Sequence, residues 1–319
     1  MYIILRIIMR VLSSVLLMVA LSAPAATAEI KASYIYSLSD FYGLIPYSWP
    51  RVVLDSGKTE IYVLYQNNIK VFSGNGMEVY EFGDDLDVGG IVDIAVDEET
   101  NIFLLTYRGE NYAIVRCNFR GEPKETMAIK GLPEALSGFI PYRMAYRKGT
   151  FYWASFRRMQ IVVTDRNGNY IDSYDIKQMI ELGLSEEEKR KAAELDIVGF
   201  NVDKEGNMLF TVPTLFKVYR LTPDRKLSSF GAPGSIPGRF GIIAGVAEDN
   251  RGNYLVTDKL KSVVMVFDKD YTFLTEFGHR GGNPDNLIGP AEIAIDNNDR
   301  IFVTQTRKRG VSVFRLVYE

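Results

Sequence analysis

The sequence predicts an all-β fold: a six-bladed β-propeller of four-stranded antiparallel blades. Its ring is closed by an N-terminal strand, and a short helical insertion lies between blades 3 and 4. Three observations predict it: a repeat with a period in the forties, period-two alternation within each repeat, and a mismatch between the two chain ends that only a shared sheet resolves. The repeat reads as apolar alternation ending in Asp, a polar turn, two β-rich runs, then a turn. Its clearest copies are Val52-Val53-Leu54-Asp55, Ile94-Ala95-Val96-Asp97, Phe200-Asn201-Val202-Asp203, Val246-Ala247-Glu248-Asp249 and Ile293-Ala294-Ile295-Asp296. A weaker copy, Met144-Ala145-Tyr146, carries Tyr where Asp is expected. Anchors at 55, 97, 146, 203, 249 and 296 are spaced by 42, 49, 57, 46 and 47 residues. Four short strands per unit at such a period are a propeller blade.

Alternation of apolar and polar residues is what a half-buried strand requires. Turns such as Lys204-Glu205-Gly206-Asn207 and Asn250-Arg251-Gly252-Asn253 supply the Gly and Asn that tight hairpins need. The last repeat runs through Val311 to Leu316 and lacks an outermost strand, while Ser33-Tyr34-Ile35-Tyr36-Ser37-Leu38 is a strand with no inner partners of its own. Pairing the two closes the ring and removes an exposed edge.

These repeats resemble the NHL-repeat family of exported bacterial propellers. The resemblance is carried by Gly245-Val246-Ala247-Glu248-Asp249-Asn250-Arg251-Gly252-Asn253-Tyr254-Leu255-Val256-Thr257-Asp258, then Val264-Met265-Val266-Phe267-Asp268 and Phe273 to Gly278, and again by Pro290 to Asp296. It spans nearly all of residues 29–319, strongest after Asp196 and weakest around Pro141 to Ser173. It implies one propeller domain over 29–319. It implies little about activity, because such propellers host unrelated functions.

The first 28 residues read as a secretory signal peptide. Arg6 and Arg10 precede the apolar stretch Val11 to Ala23, and Ala26-Thr27-Ala28 offers a cleavage site. The stretch is short for a membrane span, so cleavage is expected over anchoring, and the product is expected to be periplasmic or extracellular. No later segment is apolar enough to cross a bilayer as a helix. Cys117 is the only cysteine, so neither an intramolecular disulfide nor a thiol metal cluster can form; a small strand residue is its expected role. A net charge of -3 argues against nucleic acid as a partner.

The third and fourth anchors stand too far apart. Ile176 to Gly183 and Ser185 to Leu195 fill the gap, and Ser185 with Glu188 forms a capping box. A helix there is either a solvated ornament or a lid over the binding face. The glycine-rich segments Gly231 to Gly238 and Gly278 to Pro284 occupy equivalent repeat positions and lack a P-loop ending; they are expected to be inter-blade turns.

His279 is the only histidine, which excludes a multi-histidine zinc site and means that any Ser-His or Cys-His pair would have to use it in its glycine-rich loop. The amidating lyases that share the NHL fold depend on such a metal centre, so they are a poor match. Stacking the repeats gives a sharper signal. Four residues before each anchor, near the start of the innermost strand, stand Arg51, Asp93, Arg143, Gly199, Gly245 and Glu292. Arg51, Asp93, Arg143 and Glu292 should crowd the channel mouth. They form either a ring of ion pairs that plugs the channel or a polar pocket whose arginines hold an anion. Tyr42, Tyr47, Trp49, Phe139 and Tyr142 lie in the loops beside them and either fill inter-blade wedges or line a partner surface.

The leading expectation is a non-catalytic binding or scaffold propeller. It engages a protein, peptide or anionic envelope ligand through its loop-rich face and needs no cofactor. The alternative is a divalent-cation-dependent enzyme of lactonase or lyase type, with Asp93, Glu292 and Asn201 contributing to a calcium site. The arginines beside them oppose a cation.

Overall fold

The computed structural model describes residues 30–55, 60–84, 87–184 and 195–319. The expected signal peptide, residues 1–28, lies outside them. Six four-stranded antiparallel sheets stand in a ring. Their innermost strands are Arg51–Leu54, Gly90–Val96, Arg143–Arg147, Phe200–Val202, Ile243–Glu248 and Ile293–Ile295, in blades 1 to 6. Within each blade, strands A to D run outward, in chain order except that strand D of blade 6 comes from the N-terminal segment. The A–B and C–D turns therefore lie at one end of the ring, here called lower. The B–C turns and the D–A crossovers between blades lie at the upper end.

The A–B turns explain the recurring Asp. In Asp97, Asp203 and Asp249 one carboxylate oxygen accepts the backbone N–H two and four residues on, and the other accepts the Asn side chain at the fourth position, all at 2.7–2.9 Å. Asp296 makes the same two backbone bonds and takes Arg300 in place of the Asn. These acids are spent on turn geometry.

No blade can cover both its faces alone. Wedges between neighbouring sheets do so: Tyr62, Ile69 and Val71 of blade 1 pack with Ile94, Leu104 and Val115 of blade 2. Aromatics fill several wedges, as in the Phe103, Tyr146 and Phe151 group between blades 2 and 3. Phe139 is buried and Tyr47 stacks on Tyr65 at 4.4 Å, whereas Tyr42, Trp49 and Tyr142 stay exposed. The loop aromatics thus divide between the two roles open to them.

Ring closure follows the expected scheme. Ile30–Ser37 pairs antiparallel with Val311–Tyr318, from Ile30 opposite Tyr318 to Ser37 opposite Ser312, and forms the outermost strand of blade 6. Its Tyr34 meets the edge of Phe314 at 5.8 Å. The chain then buries Leu38 and Ile45 against Val52 and Phe302.

Between blades 3 and 4 the helical insertion is a six-residue segment, Ile176–Glu181, capped by Asp175, whose side chain accepts the Gln178 N–H at 2.9 Å. Ile176 and Ile180 bury its inner side. The expected Ser185–Glu188 capping box lies outside the described residues.

The two glycine-rich segments are inter-blade loops with one shared geometry. Phe240 N–H donates to Ala232 O at 2.9 Å and Leu287 N–H to His279 O at 3.0 Å. Gly231 and Gly278 have φ of 109° and 110°, and a Cβ on either would collide with Phe240 or Leu287 respectively. Cys117 is buried, and desolvation pushes its thiol up to about 12, which leaves little thiolate for redox chemistry.

Candidate functional site

The four charged residues aligned by the repeat do meet at the upper mouth of the channel. Arg51 Nε donates to Asp93 Oδ1 at 2.9 Å and Arg51 Nη1 to Glu292 Oε2 at 2.8 Å. Arg143 Nη2 donates to Glu292 Oε1 at 2.9 Å, and its Nη1 stands 3.9 Å from Asp93 Oδ1. Charges alternate round the closed cycle Arg51, Asp93, Arg143, Glu292. The second Asp93 oxygen accepts the Met144 N–H at 2.7 Å, so each of the four carboxylate oxygens has a donor within the protein.

Local backbone geometry aims these groups. A register shift between Ile91 and Asp93 marks a bulge in the inner strand of blade 2, the device that re-aims a side chain at a sheet edge. At the remaining two positions a Cβ on Gly199 or Gly245 would collide with Ala244 O or Ala291 O. There the blades touch backbone to backbone: Gly245 N–H donates to Ala291 O at 2.9 Å, and the hydroxyls of Thr211 and Thr257 donate to Ala244 O and Ala291 O at 2.6 Å. Around one part of the mouth, glycines let neighbouring blades touch; around the rest, ion pairs fill the space.

Electrostatics favour the charged forms of Arg51 and Glu292. Burial works against the charge of Arg51, but Asp93 and Glu292 outweigh it and its pKa rises. Burial likewise works against Glu292, yet Arg143 and Arg51 hold its carboxyl below the ordinary range.

The lower mouth opens into a cavity of about 330 Å³ whose lining includes Arg147, Asn201, Asp203 and Glu248. Sequence reasoning did not single out Arg147 or Glu248. Blade 3 has Tyr146 in place of the turn Asp, and its A–B connection shrinks to Lys148 and Gly149, with φ of 46° and 82°. Arg147 donates only to carbonyls, Val202 O at 3.0 Å and Tyr146 O at 3.2 Å. Among the described residues no carboxylate oxygen lies within 4.0 Å of it. Glu248 occupies a slot held in sister repeats by Leu54, Val96, Val202 and Ile295; an acid in an apolar column was the available signal.

Glu248 Oε2 is buried without a hydrogen-bond partner. One oxygen from each of Asp203, Glu205 and Glu248 lies within 4.8 Å of the others. The trio fits calcium poorly, since both Asp203 oxygens already serve the turn and calcium takes six to eight oxygen ligands. Burial, then the Asp203 carboxylate, push Glu248 up to about 7. Its folded value therefore exceeds its unfolded value of about 4.3. The stabilisation from its protonated form is complete below that unfolded value and is lost as pH rises through about 7. Glu248 should make wild-type melting fall as pH rises from about 5 through about 7. Glu248→Gln should flatten this dependence; a melting profile that stays parallel to wild type would reject the assignment.

The upper face combines apolar and cationic loops. Trp49, Tyr142, Ile236, Ile242 and Leu260 are exposed there. Arg157, Arg158, Lys259, Lys261, Arg307 and Lys308 come from its B–C turns, and among the described residues none has a carboxylate oxygen within 4.0 Å. Arg143 lies over the Tyr142 ring at 5.4 Å, and Lys259 over Trp49 at 5.0 Å. The exposed aromatics therefore border the ion-pair ring.

No family model matches the chain, and no curated protein matches it in sequence. Solved structures share its fold. A protein of unknown function from Bacteroides thetaiotaomicron is 14% identical over 91% of this chain and 77% of its own, with a TM-score of 0.62. An auxiliary nutrient binding protein from Bacteroides ovatus is 11% identical over 91% of this chain and 77% of its own, with a TM-score of 0.59. A gluconolactonase from Xanthomonas campestris is 13% identical over 92% and 93%, with a TM-score of 0.58. Binding proteins and enzymes thus both stand among its structural neighbours.

Proposed function

We propose that the protein is an exported, non-catalytic propeller of NHL-repeat type that binds an envelope component through its upper loop face. The observation that carries this reading is the exposure of Trp49, Tyr142, Ile236, Ile242 and Leu260 on that face, around a channel mouth whose charges are already paired. Exposed apolar side chains gathered on one face mark interaction surfaces. The nutrient-binding neighbour is consistent with a binding role.

The enzyme reading finds less support. The expected cation ligands Asp93 and Glu292 are both engaged by arginines. A virginiamycin B lyase from Staphylococcus aureus shares the fold, and its histidine-to-alanine variant is catalytically inactive. The one histidine here, His279, is exposed in an inter-blade loop. The binding reading invokes no resident cofactor.

Residues 29–319, immobilised and exposed to envelope extract, should retain a specific component. Trp49→Ala with Tyr142→Ala should lower that retention by about tenfold or more, the effect of losing interface anchors. Equal retention by the folded variant and the wild type would defeat the reading.

A further inference from the structure

We infer that the upper face over blades 5 and 6 docks peripherally on an anionic lipid surface, an inference that rests on the loop-face reading and names its partner. The patch is continuous. Lys259 N–H donates to Ile242 O at 2.8 Å, and Lys261 Nζ donates to Ile236 O at 2.8 Å and Arg239 O at 2.7 Å. Lys259 lies over Trp49, and the neighbouring Ser48 accepts the Lys308 N–H at 3.2 Å. Loops remote in sequence thereby present Trp49, Ile236, Ile242 and Leu260 together, exposed by 50%, 64%, 48% and 66%.

Charge selects the occupant. Lys259, Lys261, Arg307 and Lys308 intersperse with these apolar groups and, among the described residues, have no carboxylate within 4.0 Å. The lower turns mix both signs, with Asp97 and Glu99 paired to Arg166, Asp296 to Arg300, and Lys204 and Arg251 beside Asp203 and Asp249. An anionic surface therefore attracts this upper patch in preference to the lower turns.

The chemistry favours lipid over a protein partner. Lysine is depleted in protein–protein interface cores. At a bilayer surface, cationic side chains lay their stems along apolar groups while the charged ends reach headgroups; the exposed Arg307 and Lys308 are free to do so, whereas the Lys261 ammonium is held by two carbonyls and Lys259 is partly buried over Trp49. Each such cation contributes about 1 kcal/mol near an anionic leaflet. Trp belongs at the same depth. Here the Trp49 indole N–H is satisfied by Gly289 O at 2.8 Å, so its ring can enter the interface without carrying an unpaired donor. The Lys261 bonds fix the Ile236 loop. No helix among the described residues is long and apolar enough to span a bilayer, and a peripheral dock needs none.

The test uses residues 29–319, whose ring is closed by its own first strand. The protein is sedimented with vesicles of phosphatidylglycerol and phosphatidylcholine, or of phosphatidylcholine alone. Retention is expected on the anionic vesicles only and should fall as salt rises. Ile236→Ser with Leu260→Ser, and separately Arg307→Gln with Lys308→Gln, should each lower it by about tenfold with melting unchanged. No retention, or equal retention on both vesicle types, overturns the lipid inference. If the protein ignores vesicles while Trp49→Ala with Tyr142→Ala still abolishes capture of an envelope protein, the lipid partner is wrong and the loop-face reading stands.

Discussion

Removing residues 32–38 is expected to destabilise the whole propeller instead of loosening one blade. That segment supplies most of the outermost strand of blade 6 and buries Leu38. Its loss strips the cover from Phe314 and leaves Val311–Tyr318 as a bare edge. Each blade is stable only through its neighbours, so a breach in the ring propagates. A loss on the order of 5 kcal/mol would lower the melting midpoint by roughly 8 °C in a domain of this size, and the exposed edge should promote association. Calorimetry with size-exclusion chromatography reads both effects. Unchanged melting would show that the first strand is ornamental.

The second large effect concerns Asp93. Asp93→Ala leaves Arg51 and Arg143 with Glu292 as their one remaining acid and strands the Met144 N–H. Breaking a buried pair in this way costs about 3–5 kcal/mol. Acid should weaken the ring more gently. Glu292 is held below its ordinary range, so its contribution is present above the unfolded value and is lost as pH falls through the folded one. Chemical denaturation of Asp93→Ala at neutral pH reads the first effect. A midpoint close to wild type would mean that the ring carries no weight in the fold.

The fold was legible because its signals are local and repeated. Period-two alternation and the turn Asp recur in five copies, and aligning them brought Arg51, Asp93, Arg143 and Glu292 to one mouth. Whether they form a plug or an open pocket depends on which oxygen faces which guanidinium, a matter of ångströms that spacing does not carry. Glu248 was hidden for a different reason: it precedes a turn Asp, and the acidic turn drew the reading away from an acid in an apolar column. Arg147 became conspicuous only where Tyr146 shortened a hairpin. The upper patch joins Ser48, Trp49, Ile236 and Ile242 from crossovers with Lys259 and Lys308 from B–C turns, and only the closed ring makes them neighbours. A six-residue helix, Ile176–Glu181, falls within the spacing excess but is capped by Asp175, while the Ser185–Glu188 capping box on which the helix was expected lies outside the described residues.

The central claim is that the channel mouth is a structural plug and that binding belongs to the loops around it. It is tested most directly on one variant, Arg51→Met, Asp93→Asn, Arg143→Met and Glu292→Gln together, in which Asn keeps an acceptor for the Met144 N–H. Replacing a complete buried ion-pair set by neutral groups of similar volume is commonly close to neutral for stability. The account predicts a folded variant that retains the envelope component as wild type does. A variant equally well folded that has lost that retention would make the four charges a ligand site and contradict it.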